Sequence, residues 1–96
     1  MSHWSKIVRR KLTGLAIGLY TFNALPIGER ADALWEHGAF IVASDHPEGR
    51  SAWYTFADYY VEVLMVGEEQ RIAEVVPFYT GPRLERMLSV IALDKL

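Results

Sequence analysis

The connections within residues 38–93 constrain this chain more than any other feature. Four β-rich runs, at 40–44, 51–56, 59–66 and 71–78, are separated by turn chemistry at Asp45-His46-Pro47-Glu48-Gly49, at Ala57-Asp58 and at Gly67-Glu68-Glu69-Gln70. Each connection is too short for the crossover that a parallel pair needs, so the strands are expected to form an antiparallel meander. Within 59–66, Tyr59, Val61, Val63 and Met65 alternate with Tyr60, Glu62 and Leu64, as the two faces of a strand do. Within 71–78, the alternation sets Ile72, Glu74 and Val76 against Ala73, Val75 and Pro77. Pro77 cannot donate to a ladder and marks a strand end or a sheet edge.

Helical spacing flanks the meander. Pro26 suits a first helical turn, Ile27, Ala31, Leu34 and Trp35 recur at helical spacing, and Gly38 is a natural stop after His37. Glu29, Arg30, Asp32 and Glu36 form the water-facing side of this helix. Gly81-Pro82 opens a last helix with Leu84, Met87, Leu88 and Ile91 as its apolar face and Arg83, Glu85 and Arg86 as its solvated side. Near the start, Trp4, Val8, Leu12, Leu15 and Leu19 share one side of a helical wheel, opposite Lys6, Arg10 and Thr13. Gly14 and Gly18 weaken that helix, and an extended 15–22 is the alternative. The expected architecture is α+β: a four-stranded antiparallel meander packed on helices, in the order (α)αββββα. It forms one domain over 1–96, with a basic amphipathic arm at 1–19 and a body at 20–96. The helices are expected to cover one sheet face. The other face carries Glu62 and aromatics, a mixture that suits a pocket or a dimer interface.

A chain of 96 residues makes one small domain whose core is marginal, which oligomerisation would relieve. The absence of cysteine excludes disulfides, thiolate nucleophiles and cysteine-type zinc sites, and a cytoplasmic location is expected. A formal net charge of -2 favours neither nucleic acid nor an anionic membrane as a partner. The charge is unevenly spread, because Lys6, Arg9, Arg10 and Lys11 face no acidic residue within the first twelve positions. This arm is read as a solvated helix face; docking on an acidic body, or contact with nucleic acid or membrane, is the sharper alternative. The arm superficially matches a signal peptide. Its apolar stretch is short, runs into Tyr20, Thr21 and Asn23, lacks a good cleavage site close behind, and cannot span a bilayer.

Few residues carry chemistry. Glu62 stands out as a carboxylate on a central strand; covered, it would serve as a general acid or hold a cation. Exposed, it would form a cross-strand ion pair with Arg50 or Arg71. His46 sits between Asp45 and Glu48 in a turn, a spacing that matches no metal-ligand pattern and reads as ordinary turn polarity. His37 suits a helix C-terminus. Trp53, Tyr54, Phe56, Tyr59 and Tyr60 read as core and interface packing, because the basic groove of a single-strand-binding surface is missing. No phosphate loop, serine nucleophile elbow, HExxH or paired-carboxylate signature occurs.

The segments Tyr20-Thr21-Phe22-Asn23-Ala24-Leu25, Glu29-Arg30-Ala31-Asp32-Ala33-Leu34-Trp35-Glu36-His37-Gly38 and Tyr59-Tyr60-Val61-Glu62-Val63, with the closing 84–93, resemble short bacterial proteins of the kind carried in mobile gene cassettes such as integrons. The resemblance spans about 20–93 and implies a small cytoplasmic α+β protein; the group has no defining catalytic motif, so no functional residue carries over. The expected function is a binding or interaction module without catalytic activity. It would be a homodimer joined through the open sheet face or a sheet edge. The alternative is a small-molecule or enzymatic pocket on the curved sheet, with Trp35, Tyr54, Tyr60 and Glu62 converging on it. No metal or cofactor is expected.

Overall fold

A computed structural model describes residues 17–94. The basic arm at 1–19 lies almost wholly outside the described residues. Three helices and four strands follow in the order α1 (Leu19–Ala24), α2 (Ile27–His37), β1 (Ala39–His46), β2 (Gly49–Phe56), β3 (Tyr59–Val66), β4 (Arg71–Phe78) and α3 (Pro82–Asp94). The fold is α+β, and the sheet is the antiparallel meander β1-β2-β3-β4 that the short connections require.

The first helix departs from the extended alternative for 15–22. Leu19–Ala24 is helical because Phe22 inserts into the core, fully buried, with ring centroids 5.0 Å from Phe56 and 6.0 Å from Tyr59. That tertiary contact outweighs the weak local preference of a six-residue helix without a side-chain cap. The second helix follows its sequence signals: Pro26 stands at the N-cap, and the Gly38 N–H closes the end on the Leu34 carbonyl at 2.7 Å. Arg30 does not simply face water, since its Nη1 donates to the Val75 carbonyl at 2.6 Å and ties α2 to β4.

Helices cover both sheet faces rather than one. On the first face, Phe22 of α1 and Ala31, Ala33 and Leu34 of α2 pack with Phe56, Tyr59, Val61, Val63 and Val75. On the second, Met87 of α3 packs with Val42, Trp53 and Phe78, flanked by Tyr60, Leu84, Val90 and Ile91. After β4, Gly81 turns the chain with a left-handed φ of 100°, and α3 brings its Met87 stripe back over the face that carries Glu62.

Two register shifts adjust the faces. Leu64 pairs with Glu74 but Met65 with Ile72, which leaves Ala73 as an extra residue in β4. The bulge separates Ile72 from the expected Ile72–Glu74–Val76 face, and Ile72 packs against the α1/α2 cluster instead. Likewise Phe40 pairs with Tyr54 and Val42 with Trp53, so Ile41 is the extra residue of β1 and joins Val42 on the α3 side.

Candidate functional site

The α3 face of the sheet holds a line of polar side chains set by strand pairing. Trp53 of β2 is paired with Glu62 of β3, which is paired with Val76 of β4; Ser44 of β1 is paired with Ser51 of β2. Alternation sends Ser44, His46, Ser51, Trp53, Glu62, Leu64 and Glu74 toward α3, which answers with Arg83, Arg86, Ser89 and Val90. Between them lies a cavity of about 570 Å³.

Glu62 forms its floor. The residue is only 3% exposed, and both carboxylate oxygens are engaged. Arg83 Nη1 and Arg86 Nη2 donate to Oε1 at 2.8 and 3.0 Å, and Ser51 Oγ donates to Oε2 at 2.9 Å. A carboxylate can be buried at tolerable cost only when paired and hydrogen-bonded in this way. The partners are not the expected Arg50 or Arg71: Arg50 pairs with Asp45 at 2.7 Å instead. Arg83 and Arg86 thus leave the solvated side of α3 that the sequence assigned to them. They sit on the same side of the helix as Met87 and Val90, at a spacing of three to four residues, and that pattern was the sequence signal for their role.

His46 extends the network. Its Nε2 lies 3.1 Å from Ser51 Oγ and its Nδ1 lies 2.8 Å from Glu48 Oε2. A backbone hydrogen bond within Glu48 and the bond from the His46 ring hold the Glu48 carboxyl below the usual carboxylate range. The contact order Ser51–His46–Glu48 is that of a nucleophile, its base and an orienting carboxylate. Proton placement argues for a different role. Ser51 has one hydroxyl proton, and the buried Glu62 carboxylate accepts it. His46 stands within hydrogen-bond reach of Ser51 Oγ and of Glu48, and its tautomer sets which ring nitrogen donates and which accepts. The Ser51 hydroxyl is turned toward Glu62, and the row Glu48–His46–Ser51–Glu62 holds that carboxylate in place.

The four residues expected to converge on a pocket do not meet. Trp35 and Tyr54 pack edge to face at 5.5 Å on the α1/α2 face, where burial raises the Tyr54 phenol above its ordinary range. Tyr60 packs on the α3 face against Phe78 at 5.7 Å, and Glu62 lines the cavity. The sheet separates the two pairs because Tyr54 and Glu62 belong to opposite alternation sets: Tyr54 is paired with Val61 and Trp53 with Glu62. Sequence reasoning missed Ser51, Trp53, Arg83, Arg86 and the networked role of His46 as members of the site. Trp53 is 2% exposed, and its indole N–H has no hydrogen-bond partner among the described residues. No group of three or more metal-ligating side chains occurs among the described residues. Comparison with family models, curated protein sequences and solved structures gives no match.

Proposed function

We propose that this protein is a small-ligand binding module and that its ligand occupies the cavity between α3 and the sheet. The observation that carries the reading is the Glu62 cluster: a buried carboxylate on the cavity floor that holds two arginines, of which Arg86 has no other partner among the described residues. A site of this kind, concave, partly apolar and fitted with a few convergent polar groups, is the usual form of a ligand pocket. The absence of cysteine and of any described helix long and apolar enough to cross a membrane fits a cytoplasmic setting.

The test is a fragment screen read by ¹H–¹⁵N spectra of the full chain. Ligands are expected to move the Trp53 indole and the Ser51, Glu62 and Ser89 amides as one set. A screen whose responders leave that set unmoved overturns the reading.

Self-association is the second reading, and one observation favours it. The face expected to pair is covered by α3, but the edge strand β1 carries Phe40, 60% exposed, beside the half-exposed Trp35. An edge strand flanked by exposed apolar side chains is suited to pairing with a second copy. Light scattering on the chain and on Phe40→Lys tests it: a dimer that becomes a monomer supports it, and a monomeric parent protein removes it.

A further inference from the structure

We propose that the ligand of this cavity is an organic anion with an apolar body, its carboxylate or phosphate head held by Arg86 and Arg83. The inference rests on the reading of the cavity as a ligand site and adds the chemical class.

Arg86 brings unmatched donors to the cavity wall. Each guanidinium carries five N–H groups and no acceptor. Glu62 Oε1 takes one from Arg83 and one from Arg86, and Glu74 stands 3.7 Å from Arg83 Nη2. The other donors of Arg86 have no partner among the described residues. Glu62 cannot serve a donor-rich ligand well, since its two oxygens already accept three hydrogen bonds.

At the cavity floor two guanidinium charges face the single buried charge of Glu62, while Arg86 and Glu74 are both about half exposed and screened alike by water. Both arginines lie in the first two turns of α3, at the end of a helix where its dipole disfavours cations and favours an anion. The planar fork of a guanidinium matches the two oxygens of a carboxylate or phosphate. Beside the fork, Trp53, Leu64 and Val90 give the cavity an apolar wall, which suits a hydrocarbon or aromatic body and not a small inorganic ion.

The experiment titrates the full chain with benzoate, phenyl phosphate, benzamide and benzylamine, following the Trp53 indole resonance. Trp4→Phe and Trp35→Phe identify that resonance by elimination without disturbing the buried ring. Benzoate or phenyl phosphate is expected to shift it saturably at concentrations of about 1 mM. Arg86→Gln, at a side chain that is 55% exposed, is expected to weaken that binding about tenfold while the fold persists. Tighter binding of phenyl phosphate assigns a phosphate head, and tighter binding of benzoate assigns a carboxylate. Equal shifts with benzamide, strongest binding of benzylamine, or no effect of Arg86→Gln each overturn the anion inference and leave the cavity as a ligand site. No response to any of the four overturns the inference as well, and the fragment screen then decides the broader reading alone.

Discussion

Replacing Glu62 by Gln removes one charge and almost no volume, so its effect isolates the electrostatic role of the buried carboxylate. Glu62 accepts three hydrogen bonds at 2.8, 2.9 and 3.0 Å. Breaking a fully buried ion pair from one side costs about 3–5 kcal/mol. The full figure does not apply here, because the side chains of Arg83 and Arg86 are 31% and 55% exposed and water takes up part of what they lose. Gln still offers a carbonyl to one guanidinium, and its amide can donate to Ser51 Oγ. About half the full penalty remains, roughly 2 kcal/mol. With a urea slope of about 1 kcal/mol per molar for a domain of this size, the midpoint falls by about 2 M near neutral pH. Urea denaturation followed by circular dichroism measures it, with Glu74→Gln as the comparison, since Glu74 stands 3.7 Å from Arg83 and is half exposed. If the Glu62 midpoint moves no further than the Glu74 midpoint, the cluster behaves as a surface ion pair and the argument for a charged floor to the cavity fails.

Three other outcomes follow from the same geometry. Phe22→Ala deletes a fully buried ring that meets Phe56 and Tyr59 and should cost about 3–5 kcal/mol, with loss of the α1 amide protection in hydrogen exchange; a cost under about 1 kcal/mol would mean that α1 does not dock on the sheet. Gly49→Ala should destabilise by more than about 2 kcal/mol in thermal unfolding, because a Cβ at Gly49 would collide with the Met65 carbonyl across the β2–β3 ladder; a neutral substitution would refute the register there. Tyr59 is buried, its hydroxyl donates to the Ile17 carbonyl at 2.7 Å, and desolvation, with Tyr79 and Asp58 nearby, pushes its phenol well above the ordinary range. Its contribution is complete below the unfolded-state value of about 10 and is lost as pH rises from there toward the folded-state value. Tyr59→Phe should therefore flatten the alkaline fall in melting temperature, and an unchanged alkaline slope would remove Tyr59 as its source.

Much of the architecture was legible along the chain. Tyr59–Val66 and Arg71–Phe78 fall where alternation placed them, and α2 lies between Pro26 and Gly38, which stand at its two caps. β1 and β2 each run two residues further into their shared turn than the turn residues suggested, because Asp45 and His46 pair with Arg50 and Gly49 across it. The helix at Leu19–Ala24 was not legible, since its reason for existing is Phe22 meeting Phe56 and Tyr59, far along the chain. The bulges at Ile41 and Ala73 left no local mark either: a strict period of two is the default, and the exception is chosen by what packs on each face.

What the sequence determined by itself was local and periodic: antiparallel pairing, because the connections are short, and the side of β3 on which Glu62 stands, because strands alternate. What tertiary structure decided was the company Glu62 keeps. The return of α3 across the sheet turns a mixed face into a covered one, and burial then obliges the carboxylate to recruit Arg83, Arg86 and Ser51. Tyr54 and Trp35, expected to converge with Glu62, end on the opposite face. A buried charge is satisfied by whichever donors the packing brings within reach, and proximity between β3 and α3 is a property of the folded chain that no stretch of sequence contains.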